Sequence, residues 1–203
     1  SLEKLCFSKE SYQDGSKVLA LLAAAENETW GNNATGQFKQ LFHIMLPGTE
    51  ATLQERLETL HYLKISGKEY EELALECFDG AVDNGSFVGD GSGAQFGLQR
   101  KTDYMPKSNI GIVEYWEQCR DMLMSWLEED KDILERTAKL STSHAFRWAY
   151  DGMLGRMLPL LNMIADMKGG RWEEMYTALN KVNESRLSVY QQDVQEQINV
   201  FKQ

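Results

Sequence analysis

The chain has 203 residues, of which 42% are hydrophobic and 26% are charged, a balance typical of a folded globular protein. Its formal charge of −10 comes from 31 acidic and 21 basic side chains. This sign argues against nucleic-acid binding, because affinity for phosphates depends on lysine and arginine. The longest apolar run, Val18 to Ala25, has eight residues and is far too short to span a bilayer. We therefore expect neither nucleic acid nor membrane among the partners.

The first residues of the chain and its cysteines predict a location in the cytoplasm. Ser1-Leu2-Glu3-Lys4 lacks the apolar core of a signal peptide, and we expect a segment of a larger intracellular protein. Cys6, Cys77 and Cys119 are widely separated and odd in number. This favours buried, reduced thiols over a disulfide framework, and with it a cytoplasmic chain.

The first 82 residues have helical periodicity. The apolar side of a first helix, over residues 9–26, is predicted from Val18, Leu19, Leu21, Leu22 and Ala25. Asn33 or Thr35 can cap a short helix before Pro47-Gly48. Two capping boxes follow, Thr52-x-x-Glu55 and Ser66-x-x-Glu69, and each predicts a helix start.

Residues 83–108 are rich in glycine and have no apolar period, which predicts a long loop. This loop separates an N-terminal helical half, residues 1–82, from a C-terminal half, residues 109–203. The two halves are predicted to belong to one domain.

The second half carries further helical stripes. A long helix ending near Glu129 is followed by Asp130, which can cap the next helix. A continuous helix, which Pro159 should kink or break, is predicted from Phe146, Tyr150, Met153, Met157, Leu161 and Ile164. A last amphipathic helix is predicted from Leu187, Tyr190, Val194, Ile198 and Phe201.

These elements predict an all-α fold of about nine helices. Short connections between adjacent helices favour antiparallel hairpins stacked side by side as an irregular, solenoid-like array with one long glycine-rich loop. The sequence contains no internal repeat of fixed period, so a regular repeat array is not predicted.

The sequence offers no catalytic, metal-binding or cofactor-binding set. His43, His61 and His144 lack the spacing of metal ligands, and no Cys-x-x-Cys motif is present. Cys77 and Cys119 fall on apolar stripes, where a thiol is unreactive. We therefore expect no enzyme activity, no metal and no cofactor.

One segment suggests an alternative, a nucleotide or small ligand bound by a glycine-rich loop. Gly89, Gly91, Gly93 and Gly97 precede Arg100-Lys101, as in loops that cradle phosphates. However, Gly97 is followed by Leu98-Gln99 instead of the Lys-Ser/Thr of a P-loop, and no predicted strand precedes the loop. A flexible connector is the simpler interpretation.

Two stretches carry a resemblance to known proteins. The first runs from Trp30 to Phe42 and continues through residues 46–51 into Glu55-Arg56-Leu57. The second leads from Tyr104-Met105-Pro106-Lys107 into residues 114–120. Together they resemble the helical, HEAT-like C-terminal region of very large bacterial NTPase or sirtuin-like signalling and defence proteins, over residues 8–130. The resemblance implies a sensor or scaffold role, with any chemistry elsewhere, and it assigns no functional residue.

The leading functional hypothesis is a non-catalytic helical-repeat module for protein interaction or sensing in a large intracellular bacterial protein. The expected partners are proteins, including neighbouring repeats of the same chain. The apolar stripe from Leu187 to Phe201 would remain uncovered in an isolated segment, which predicts a homodimer through that stripe.

Overall fold

A computed structural model describes residues 2–26, 33–83, 95–96 and 99–184. Within these residues the chain is all-α, as predicted, and contains nine α-helices: α1 Leu2–Phe7, α2 Tyr12–Ala24, α3 Ala34–Gln40, α4 Leu53–Ser66, α5 Glu71–Val82, α6 Asn109–Glu129, α7 Leu134–Tyr150, α8 Leu154–Met167 and α9 Glu173–Glu184. Short 3-10 turns precede α5 and α7, at Lys68–Tyr70 and Lys131–Ile133. Two strands of two residues each, β1 Gln95–Phe96 and β2 Gln99–Arg100, pair antiparallel.

The chain divides into two compact units, residues 1–119 and residues 120–203. The division falls inside α6, between Cys119 and Arg120. The predicted division at the glycine-rich loop stays a prediction, as does the stacking of hairpins into a solenoid. None of the described helices is both long enough and apolar enough to cross a membrane.

In the first unit, α2 packs against α1, α3, α4 and α5. Its core-facing side includes Tyr12, Leu19 and Ala23. Helix α1 lies close to α2 at Gly15, where a Cβ atom would lie only 2.8 Å from the carbonyl carbon of Leu5. Glycine is therefore required at this crossing by the distance between two backbones.

In the second unit, α7 packs against both α8 and α9. Trp148 of α7 and Trp172, just before α9, are buried, together with Leu161 of α8 and Met175 of α9. Large aromatic and aliphatic side chains thus form the centre of this unit.

Three predicted helix caps are confirmed. Thr52 Oγ1 accepts a hydrogen bond from Glu55 N (3.3 Å), and the Glu55 carboxylate accepts one from Thr52 N (2.7 Å). Asn33 caps α3 by accepting from Gly36 N at 2.8 Å. Asp130 accepts from Asp132 N at 2.9 Å. Each cap pairs amides that the helix itself leaves without partners.

The second predicted capping box is wrong. Ser66 is the last residue of α4, and its hydroxyl donates to the carbonyl of Tyr62 at 2.6 Å. Gly67 then takes a φ of +128°, which ends the helix. The Ser-x-x-Glu pattern occurs here at a helix end because glycine, and not a residue with a side chain, follows the serine.

The predicted helix through Phe146 and Ile164 is also wrong. Helix α7 ends at Tyr150, and Gly152 has a φ of +71°. Gly152 N donates to Ala149 O and Met153 N to Trp148 O, the bonds of a Schellman motif. The break thus lies at Gly152, and α8 runs through Pro159 as one helix.

Candidate functional site

Arg56 is a fully buried cation in the first turn of α4. Its Nε donates to the carbonyl of Ala51 at 3.0 Å and its Nη1 to the carbonyl of His43 at 2.9 Å. Among the described residues Nη2 has no hydrogen-bond partner. The guanidinium therefore joins the segment that leads into α4 to the segment that follows α3.

Three tyrosines lie around this guanidinium. Its Cζ is 5.7 Å from the centre of the Tyr104 ring, and Tyr115 Oη donates to the carbonyl of Phe42 at 3.3 Å. Burial lowers the pKa of Arg56 and raises the pKa of Tyr12 and of Tyr115. The phenols of Tyr12 and Tyr115 therefore stay neutral, and Arg56 interacts with carbonyl groups and an aromatic face.

The segment after β2 docks on the residues that precede α4. Tyr104 N donates to Thr49 O at 2.8 Å, and Gly48 N donates to the carboxylate of Asp103 at 2.9 Å. The Lys101 ammonium lies 2.7 Å from the carboxylate of Glu50. Both stretches that carried the family resemblance contribute to this contact, although the resemblance itself stays a prediction.

The contacts of Arg56 hold segments of the fold together and do not form an accessible reactive site. Arg56, Tyr12 and Tyr115 are buried, so a substrate cannot reach the guanidinium or these two phenol groups, whereas Tyr104 is partly exposed. The three thiols are free and buried, as expected, and burial raises the pKa of Cys77 and of Cys119. A thiol in such surroundings is a poor nucleophile.

The exposed side of α2 carries an apolar patch. Val18, Leu21 and Leu22 are 47%, 55% and 53% exposed, and they lie within one third of the helix circumference. The opposite side of the same helix is buried. We call these three residues, together with Ile65 of α4, which is 66% exposed, the α2 patch.

Ile65 joins the patch because α2 and α4 run in the same direction. Gln13 Nε2 lies 3.3 Å from the Glu58 carboxylate, and four residues further along both helices the Lys17 ammonium is 5.4 Å from the centre of the Tyr62 ring. The next step of this progression places Leu21 beside the last turn of α4. The apolar residues thus occupy the C-terminal end of the α2–α4 pair.

The second unit contains a pocket of about 490 Å³ between α7 and the turn that joins α8 to α9. Ala138 and Trp172, both buried, contribute apolar surface, and charged and hydroxyl side chains line the rest. The Lys168 ammonium is 2.7 Å from both oxygens of the Glu135 carboxylate, which ties the end of α8 to α7. We call this cavity the α7–α9 pocket.

The predicted site residues lie mostly outside the described part of the chain. This applies to Gly89, Gly91, Gly93 and Gly97 of the glycine-rich loop, and to Leu187, Tyr190, Val194, Ile198 and Phe201 of the last stripe. Lys101, which the phosphate hypothesis needs as a cation, is within ion-pair distance of Glu50 and Glu10. No described contact therefore favours a phosphate site there.

The three histidines are not brought together. His43 lies beside Gly80 of α5, His61 is exposed on α4, and His144 stacks on Trp148 in the second unit. Burial is the largest effect that lowers the pKa of His43, and Lys39 adds to it, while Asp83 and Asp79 oppose it. In the described part of the chain, no group of three or more His, Cys, Asp or Glu side chains could hold a metal ion.

Sequence reasoning missed both surfaces. The sequence predicts one apolar side for the helix, formed by Val18, Leu21 and Leu22 together with Leu19, whereas only Leu19 of these four is buried. The same error affected Phe146 and Tyr150, which are exposed. The α7–α9 pocket carries no sequence signal, because its walls come from positions that are distant along the chain.

Comparison of the chain with protein-family models, curated proteins and solved structures finds no match. By its fold, the described part of the chain is an all-α protein with two compact units. A fold of this class does not specify a function, so the exposed surfaces of the two units carry the functional information.

Proposed function

We propose that the first unit is a non-catalytic protein-interaction module, and that its α2 patch binds an amphipathic helix of a partner protein. One observation carries the proposal: the second half of α2 is apolar on all sides, yet only one side is buried. A helix with apolar residues all round is normally covered all round. Leaving Val18, Leu21 and Leu22 in water is unfavourable unless a partner covers them.

The spacing of the patch suits a helical partner. Val18, Leu21 and Leu22 stand at positions i, i+3 and i+4, which is the pattern of anchors in helix-in-groove recognition. Ile65 widens the surface into a shallow strip between two helices that run in the same direction. An apolar stripe on a partner helix can lie along this strip.

The negative charge of the first unit indicates which polar residues the partner helix should carry. Residues 1–119 carry 18 acidic and 10 basic side chains, a formal charge of −8. Asp14 and Glu58 are exposed one to two turns before the patch, on α2 and α4 respectively. We therefore assign to the partner helix basic residues that face these carboxylates, since complementary charge speeds association and fixes orientation.

The test uses a designed leucine–lysine amphipathic peptide of about 18 residues, or five helical turns, as the probe. Its binding to the whole chain is followed by fluorescence anisotropy. We expect Leu21→Glu and Leu22→Glu each to weaken binding at least about tenfold, because burying one leucine contributes about 1.5–3 kcal/mol. Circular dichroism should show unchanged helix content, since both residues are exposed.

The matched control is Ile110→Glu, which changes an even more exposed apolar residue in α6 of the same unit. It should leave peptide binding unchanged. A leucine–glutamate peptide of equal length should bind more weakly than the leucine–lysine probe. Equal losses in the Ile110 variant, or equal binding of both peptides, would refute the proposal. Self-association of the unmodified chain that Leu22→Glu abolishes would assign the patch to a second copy.

A further inference from the structure

The α7–α9 pocket is open to solvent, since Lys139 and Glu174 in its lining are exposed, and the fold of the second unit fixes its walls. Helix α8 ends at Gly169 and Gly170, whose φ angles of +68° and +74° turn the chain sharply towards α9. Gly169 N donates to Asp166 O and Gly170 N to Ala165 O, which fixes this turn. The Glu135–Lys168 ion pair holds the turn against α7. The volume, about 490 Å³, lies within the range of small-molecule sites.

Two of its charged groups are not used by the fold. In the described part of the chain, Lys139 and Glu174 have no ion-pair partner, although both line the pocket. They come from different helices, Lys139 from α7 and Glu174 from the first turn of α9. Glu135 and Lys168, by contrast, neutralise each other. The pocket therefore presents one unpaired cation and one unpaired anion.

The remaining surface of the pocket consists of apolar side chains and of hydroxyls that already donate hydrogen bonds to the backbone. Ala138 and the indole of Trp172 supply a buried floor. The hydroxyl of Thr142 donates to Ala138 O at 2.9 Å and that of Ser143 to Leu140 O at 2.7 Å. These hydroxyls can accept but not donate further, so the charges of Lys139 and Glu174 dominate recognition.

We propose that the α7–α9 pocket binds a zwitterionic amino acid or dipeptide with an apolar side chain. The ligand carboxylate pairs with the ammonium of Lys139, the ligand ammonium pairs with the carboxylate of Glu174, and the side chain lies against Trp172 and Ala138. A phosphate ester fits this set poorly, because two of its four charged groups are carboxylates. This site is independent of the α2 patch and of the function proposed for the first unit.

Isothermal titration of the whole chain tests the proposal with four probes. L-phenylalanine and the dipeptide L-alanyl-L-phenylalanine carry both charges, 2-phenylethylamine lacks the carboxylate, and 3-phenylpropionate lacks the ammonium. We expect at least one zwitterion to bind with a Kd below about 1 mM, and both single-charge probes to bind about fivefold or more weakly. The stronger of the two zwitterions identifies the size of the ligand.

Variants locate the binding. Lys139→Ala and Glu174→Gln should each weaken the zwitterion about fivefold. Their matched controls are Lys131→Ala and Glu173→Gln, which change exposed residues of the same type outside the pocket and should have no effect. The proposal is overturned if no probe binds at about 10 mM. It is also overturned if 3-phenylpropionate binds as tightly as L-phenylalanine, or if the control variants weaken binding equally.

Discussion

The two units differ in how they treat polar groups in their interiors. In the first unit, buried polar side chains bond to distant backbone carbonyls. Thr49 Oγ1 donates to Cys6 O at 2.7 Å and Trp116 Nε1 to Ala81 O at 3.1 Å, in addition to the bonds of Arg56. In the second unit, Thr137 Oγ1 and Ser141 Oγ are buried without a partner among the described residues, as is Arg56 Nη2 in the first unit.

The difference follows from the connections between helices. Residues 41–52 and 101–108 of the first unit are irregular, and their backbone groups need partners that helices do not supply. In the second unit, α7 and α8 end in tight glycine turns that pair their own carbonyls. The units also differ in charge, −8 against −2, because residues 120–203 carry 13 acidic and 11 basic side chains. The long connections of the first unit are therefore bonded by buried side chains, whereas the tight turns of the second unit bond their own backbone groups.

The largest predicted effect concerns Arg56. We expect Arg56→Ala to lower the free energy of unfolding by about 3–5 kcal/mol, because a buried and a partly buried carbonyl lose their donors and a cavity remains. Arg56→Met, which keeps most of the volume, should cost less. Urea unfolding followed by circular dichroism measures both. The exposed Arg171→Ala should change stability by no more than about 0.5 kcal/mol. A similarly small effect of Arg56→Ala would mean that these carbonyls find other partners.

An intermediate effect is expected at the α1–α2 crossing. Gly15→Ala places a Cβ 2.8 Å from the backbone of Leu5, and we expect a loss of about 1–3 kcal/mol as α1 is displaced. Gly111→Ala is the matched control, since nothing lies within 4 Å of its Cβ position in α6. That change should stabilise by up to about 1 kcal/mol, because alanine favours the helix. Thermal unfolding measures both, and equal signs for the two variants would contradict the close approach.

The smallest predicted effect has the opposite sign to that at Arg56. Thr137→Val and Ser141→Ala remove buried hydroxyls that lack partners, so each should be neutral or stabilise by up to about 1 kcal/mol. Urea unfolding measures the change, with the exposed Thr177→Val as the control in α9. A loss above about 1 kcal/mol would show that these hydroxyls have a hydrogen-bond partner after all.

Much of the helical content could be predicted, because its signals act over three or four residues. The caps at Asn33, Thr52 and Asp130 needed only a short polar side chain ahead of a helical period. The end of α6 at Glu129 was predicted in the same way. Helix α1 was missed, since six residues are too few to show a period.

The candidate sites could not be predicted, because they depend on which side of a helix is covered. Helix α2 offers apolar residues on both sides, and its buried side is selected by α1, α3, α4 and α5, of which α4 and α5 begin about 30 residues or more further along the chain. Arg56 has the sequence context of a surface residue in a first helical turn. It is buried because His43 O, Ala51 O and the Tyr104 ring surround it.

The sequence by itself therefore determined the all-α class, the confirmed caps and the apolar character of α2. The tertiary structure alone decided the exposure of Val18, Leu21 and Leu22, the burial of Arg56 and the meeting of Lys139 with Glu174 around one pocket. The physical reason is the range of the interactions. Hydrogen bonds within a helical turn are specified by neighbouring residues, whereas burial depends on surfaces that the rest of the chain brings together.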